Sequence, residues 1–190
     1  MIEMYEKEDK KYKIYQGDIF QNVDYLRWVD TINKVIDVIE IPYFLVLTQS
    51  CDLEQDYKDR QKTEKENRDK YLQSILVCPA YRAEVFKRGE HLKNFDLIMC
   101  TYGGTLWKII KKNNNARYHF MERNEEFGLP DLVIDFKHYY TIPTHILYEI
   151  YKDHYVNSLK SLFRENISHR FAFYLSIIGL PMIENKGGKN

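Results

Sequence analysis

Two residues in the run RYHFME (117–122) are suited to chemistry on phosphates. Residues two apart on a strand share a face, so Arg117 and His119 would stand side by side. A guanidinium binds phosphate bidentately, and an imidazole exchanges protons near neutral pH. That pair could act as phosphate stabiliser and general acid–base, or be a charged surface face of a half-exposed strand. Arg82 and Lys111 supply further cations for RNA or a phosphorylated ligand. A second cluster, Thr48-Gln49-Ser50-Cys51-Asp52, directly follows an apolar run, where sites are commonly built. Cys51 would be a nucleophile if a base such as His119 lay near it, with Gln49 and Asp52 lining the cleft. The alternative is a buried thiol acting as a small hydrophobe, with Asp52 capping a turn. Asp135 interrupts the apolar run LVIDF and so must be paired or lie at a sheet edge. Arg164, His169 and Arg170 decorate the last helical pattern, where an arginine on the buried face would anchor the helix. His138, His145 and His154 are seven and nine residues apart, a spacing without a metal-binding pattern.

These residues need elements to hold them. The β-branched run Val35–Ile41 and the segment Tyr25–Val29 read as strands joined through Asp30–Lys34. Gly17-Asp18 marks a turn in Ile14–Phe20. Tyr43–Thr48 and Tyr71–Pro79 read as core strands. Glu54–Lys70 has six basic and six acidic residues and no apolar stripe, which predicts an exposed excursion. Residues 80–115 read as a helical insertion, with Thr105 capping a helix through Leu106–Lys112 and asparagines ending it. Arg117–Glu122, Leu132–Phe136 and Tyr139–Ile142 read as strands, and Pro143 opens a short helix. Leu159, Leu162, Phe163, Ile167, Phe171, Tyr174, Leu175 and Ile178 fall at helical steps, predicting a C-terminal helix over 157–179 that stops at Gly179 and Pro181. The order predicts one α+β domain over 1–190: an antiparallel, partly closed small barrel (strands in 14–79 and 116–142) with a helical insertion and a long C-terminal helix.

The chain has 190 residues, with 28 Lys+Arg balanced by 28 Asp+Glu. Zero net charge removes the global basic field of a general nucleic-acid binder and leaves local patches. Aromatic residues make up 15%, suited to interfaces and to base stacking. Three widely spaced cysteines form neither a disulfide framework nor a CxxC metal pair. No secretory signal or membrane-length apolar run is present, so a cytoplasmic, reducing compartment and no membrane partner are expected. No GxxxxGK[ST], GxGxxG or HExxH occurs, and no cofactor or metal is expected.

QGDIF (Gln16–Phe20), FLVLTQSCDL (Phe44–Leu53) and LVCP (Leu76–Pro79) together resemble the opening of PemK/MazF-type toxins of toxin–antitoxin systems. That resemblance covers about a third of the chain. It implies an SH3-like barrel, a metal-independent endoribonuclease with RNA as partner, and a homodimer. In that family an Arg follows the first strand and a Thr or Ser follows the third core strand. Arg27 could fill the first role if it faces the cleft, whereas Ala80-Tyr81-Arg82 stands at the second. TQSCDL, ARYHF, LVIDF and RFAFYLSIIGLP also resemble an uncharacterised bacterial family, some of whose members accompany mobile elements or antiphage operons. The neutral charge, the high Tyr content and the missing hydroxyl residue after Pro79 support a different reading, a non-catalytic adaptor or regulatory subunit that docks a protein partner through its C-terminal helix. A thiol enzyme using Cys51 is a third reading.

Overall fold

The computed structural model describes residues 3–6, 12–64 and 66–177. Eight strands form one antiparallel sheet among them: β1 (Tyr5–Glu6), β2 (Asp18–Asp30), β3 (Val35–Val46), β4 (Ser74–Arg82), β5 (Tyr118–Met121), β6 (Leu132–Asp135), β7 (Tyr140–Pro143) and β8 (Tyr155–Leu159). They follow the order β1-β8-β2-β3-β4-β6-β5, and β7 also pairs β4. Five helices surround the sheet: α1 (Ser50–Arg60), α2 (Ala83–Lys87), α3 (Gly104–Lys111), α4 (Thr144–His154) and α5 (Ser161–Ser176).

The alternation of β3 explains the layering. Phe44 and Val46 point into one apolar cluster with Phe20, Leu53 and Leu147. Leu45 and Leu47 point into the opposite one, with Ile134, Phe136, Ile167 and Phe171. Successive strand side chains face opposite ways, so both faces of β3 must be covered. A third cluster, under α2 and α3, holds Tyr81, Phe86, Ile110, Tyr118 and Val133.

Several elements differ from the sequence reading. The two segments on either side of Asn22 form one strand, and β3 runs through Pro42. The β2/β3 register skips Asn22 and Pro42, and β3 meets β4 only from Tyr43, so the missing proline N–H breaks no ladder bond. Ala80–Arg82 completes β4 and is not helical. The helix α3 begins at Gly104 behind Gly103, without a side-chain cap from Thr105. Tyr155–Leu159 is strand β8, pairing β1 and β2, so the C-terminal helix starts only at Ser161 and spans 16 residues to Ser176. Leu162 and Leu175 of the helical pattern are exposed. Ile178, Gly179 and Pro181 lie outside the described residues.

The charged segment is anchored by charge where apolar surface is scarce. The helix α1 buries Leu53, Asp56 and Asp59. Asp56 accepts from Arg60 Nε at 2.7 Å and from the Leu72 N–H at 2.8 Å, while Arg60 also donates to the Leu72 carbonyl. Asp59 forms ion pairs with Lys62 and Arg68. Thus the segment reads as solvated by composition, yet its aspartates tie the loop after α1 to the sheet.

Removing one partner of a buried ion pair costs roughly 3–5 kcal/mol. Arg60 keeps 18% side-chain exposure. Screening there reduces the expected cost of Asp56→Ala to about 2–3 kcal/mol. Urea unfolding measures it, and a change below about 0.5 kcal/mol, the ordinary surface range, would refute the anchoring role.

Candidate functional site

The strand β4 shares one edge between two partners. Ala80, Tyr81 and Arg82 pair β6, while Ser74–Val77 pair β7. Between them the chain turns from Asp135 to Tyr140. Cys78 sits at this fork, its Sγ 3.4 Å from the Asp135 carbonyl and 3.3 Å from that of His138. Burial pushes its thiol pKa well up, so Cys78 stays protonated.

Asp135 is fully buried at the fork. Arg117 clasps it bidentately, Nε to Oδ1 at 2.7 Å and Nη2 to Oδ2 at 2.5 Å. The Lys137 N–H donates to the same carboxylate, and His138 Nδ1 lies 3.4 Å from it. The bonds from Asp135 raise the guanidinium pKa of Arg117 further. Arg117 therefore serves the fork and lies beside Tyr118, whereas His119 lies in the opposite cluster against Phe136. Burial, then the nearby Arg170 charge, pulls His119 down to about 3. The alternation that would set Arg117 and His119 side by side is overridden by the pull of the buried Asp135.

A cleft of about 200 Å³ opens between this fork and the helical insertion. Its sheet side is Ile39, Ile41, Pro79, Tyr81 and Tyr140, and its helical side is Val85, His91, Asn94 and Phe95. The His91 ring stacks on Phe86 at 4.4 Å and lies 4.9 Å from Tyr81. Across Tyr81, His138 makes an edge contact at 6.4 Å. Both His91 ring nitrogens are buried without a hydrogen-bond partner. Burial pulls this imidazole down to about 4, and burial also lowers His138. Both rings are therefore neutral at pH 7.

Backbone geometry places His91. Gly89 has φ +76°, and a Cβ there would stand 2.2 Å from the Met99 carbonyl oxygen. Only glycine permits that close turn after α2. At the cleft's other end, Arg27 bonds Asp37 at 2.5 Å and lies 5.1 Å from the Phe95 ring, while Tyr25 packs on Tyr140 at 4.8 Å. Arg82 lines the rim and is exposed.

The remaining candidates are dispersed. Cys51 is exposed in the first turn of α1, so the buried-thiol alternative does not hold. Its polar neighbours are Gln49 and Asp52, at 3.5 and 3.6 Å. Gln49 precedes α1 as its N-cap without a capping side-chain bond, and exposed Asp52 sits where a carboxylate favours the helix dipole. Lys111 lies over the Phe120 ring at 5.2 Å, outside the cleft lining. Arg170 donates to the carbonyls of Asn113, Asn115 and Tyr118, the anchoring role its helical position implied. His91 reads by sequence as one apolar-spaced residue of the insertion; the glycine two residues before it was the available signal. Among the described residues no group of three or more His, Cys, Asp or Glu is arranged to hold a metal ion, and no helix is long and apolar enough to cross a membrane.

No family model matches the chain. Over 94 residues the chain is 31% identical to a tetratricopeptide repeat protein 4 homolog from Dictyostelium discoideum. The alignment takes 48% of this chain and spans 23% of that protein's length.

The two lowered histidines set an acid limb of stability. The unfolded chain takes up these protons near the ordinary 6.5, the folded chain only near 3 and 4. Stability is then full above pH 6.5 and falls as pH drops toward 4, by up to about 1.4 kcal/mol per pH unit for each group. Replacing His119 in His119→Leu should flatten that slope in urea unfolding across the same range. An unchanged slope would show that His119 protonates freely in the folded state.

Proposed function

We propose that this chain is a nucleic-acid-binding barrel protein that takes an unstacked base into the cleft between β4 and the insertion, with metal-independent RNA cleavage as its activity. The observation that carries the reading is His91: a neutral imidazole with two unpartnered nitrogens in the wall of an aromatic cleft. Buried polar groups left unpaired call for an explanation, and a general base awaiting substrate is one. The cleft is smaller than the roughly 300–1,000 Å³ of sites that enclose whole drug-sized ligands, which suits one flat ring. Tyr81, Tyr140 and Phe95 offer stacking surfaces, and Arg82 and Arg27 stand where flanking phosphates would pass. In this reading the His91 imidazole accepts the proton of a ribose 2′-hydroxyl. The 2′-oxygen then bonds phosphorus, the bond to the 5′-oxygen breaks, and that oxygen takes a proton from water or a protonated neighbour. A 2′,3′-cyclic phosphate and a 5′-hydroxyl result. The antiparallel sheet and the long β2–β3 hairpin support the SH3-like, PemK/MazF-type frame for this proposal.

A second reading, a non-catalytic adaptor, draws on a separate observation. The helix α5 exposes Leu162, Phe173 and Leu175, apolar side chains that a protein partner could cover.

End-labelled RNA incubated with the protein in EDTA tests the first reading. Discrete cuts should appear, and His91→Ala should slow them by about 10²–10⁴-fold, the usual range for a general acid–base group. His119→Ala should leave the cutting pattern intact wherever the protein is folded. Activity that depends on neutral His91 should fall as pH drops through about 4. Binding without cuts, weakened by Arg82→Ala, would leave a binding module; absence of binding would overturn the nucleic-acid reading.

A further inference from the structure

Beyond Val23 and Ile41, β2 and β3 continue as a two-stranded ribbon. Its outer edges are free of partners among the described residues, because β2 pairs β8 only through Asp18–Phe20 and β3 meets β4 only from Tyr43. The ribbon carries large apolar side chains into solvent: Ile32 at the tip is 90% exposed, Ile36 67% and Trp28 59%. Side chains of this size exposed along a ribbon mark it as an interaction surface.

The register organises them into a face. Leu26 lies opposite Val38, and Val29 opposite Ile36. Val38 and Ile36 are two apart and share a side, so all four aliphatics point the same way. Leu26 and Val29 are three apart and would diverge in a regular strand. The register shift between Leu26 and Trp28 adds one residue and brings them together, as a bulge re-aims side chains. At the base of this face Asp24 lies directly opposite Glu40. Like charges in that position repel, and neither carboxylate has an ion pair among the described residues.

One other surface of the chain is its complement. The outer side of α3 exposes Leu106 at 44% and Ile109 at 37%, while Ile110 points inward to the third core cluster. Lys108 and Lys112 flank that pair, exposed and without an ion pair among the described residues. Residues Gly104–Lys112 include three lysines and no carboxylate, a charge of +3. Residues Asp24–Ile41 include Asp24, Asp30, Asp37 and Glu40 against Arg27 and Lys34, a charge of −2. Two ribbons facing each other would therefore repel, whereas a ribbon facing α3 is attracted and matched aliphatic to aliphatic.

We propose that the Leu26/Val29/Ile36/Val38 face docks on α3 of a second copy of this chain. Leu106 and Ile109 meet the aliphatic face, and Lys108 and Lys112 neutralise the Asp24–Glu40 pair. A reciprocal contact, ribbon to α3 and α3 to ribbon, closes as a two-fold dimer.

Sedimentation of the full chain across concentration tests this, with three variants: Asp24→Lys/Glu40→Lys, Lys108→Glu/Lys112→Glu, and Ile36→Ser. Wild type should rise from the 23.0 kDa chain mass to twice that value. Each variant alone should associate at least about tenfold more weakly, as expected when interface charges or anchors are lost. Both altered surfaces are exposed, so unfolding temperatures close to wild type will show that the variants fold. The two charge variants mixed should re-form the dimer, since each then meets an opposite charge. A wild type that stays at single-chain mass up to about 1 mM, a free energy weaker than about −4 kcal/mol, would overturn the proposal. So would association that the reversals leave unchanged, or a mixture of folded variants that stays monomeric.

Discussion

Between Val77 and Ala80 one edge of β4 passes from β7 to β6, and that division governs the molecule. The chain leaving β6 rejoins the same edge of β4 as β7, but three residues out of register. It must turn at Asp135, and the turn leaves a carboxylate in the interior. A buried charge is tolerated only with a partner and full hydrogen bonding. Arg117 supplies both with two parallel bonds, and the Lys137 N–H supplies a third. Because Arg117 lies immediately before β5, the same bonds set where the outermost pair of strands begins. The Cys78 thiol and the His138 ring are packed against the turn. The cleft lies where it does because Tyr81 and Tyr140 come from the two sides of this division.

Elsewhere, too, charge holds elements that apolar contact would leave loose. The helix α5 buries only Ile167 and Phe171. The three carbonyl bonds of Arg170 and the pairing of Arg164 with Glu6 add direction to that small contact. The helix α1 buries Leu53 and two aspartates. Charge-assisted hydrogen bonds are directional, whereas apolar contact is not, so a few of them can orient a helix that lacks a continuous stripe. This explains how a chain with 29% charged residues maintains well-covered faces on its central strands.

The cleft and the ribbon divide the outer sheet between two kinds of surface. Near β4 the sheet is covered by the helical insertion, and the space between them is aromatic with one neutral imidazole in its wall. Farther out the same two strands lose their neighbours and show aliphatic side chains to solvent. The bulge at Arg27 marks the passage between the two. It turns Arg27 toward Asp37 and Phe95 on the cleft side and gathers Leu26 and Val29 on the other. One extra residue thus separates a polar, aromatic end from an apolar one.

Most strands were legible from the alternation and β-branching of their residues, since side-chain period and backbone shape are local matters. The left-handed Gly17 turn and the termination at Asn113, with φ of +57°, were legible for the same reason. The need for a partner at Asp135 was legible because a carboxylate in an apolar run is costly wherever it lies. The identity of that partner was not. Arg117 is 18 residues away, and only the pairing of β5 with β6 brings it there, at the expense of the expected partnership with His119. Residues 157–159 fall within the C-terminal helical pattern, which starts at Leu159, yet Tyr155–Leu159 is a strand because the edge of β2 accepts it. His91 had no local mark beyond Gly89; its unpartnered nitrogens arise from how the insertion folds over Tyr81. The sequence alone determined periods, turns and the charge balance, which depend on neighbouring residues. Tertiary structure decided which buried charges meet and which imidazole faces a cleft, because those depend on contacts between residues far apart in the chain.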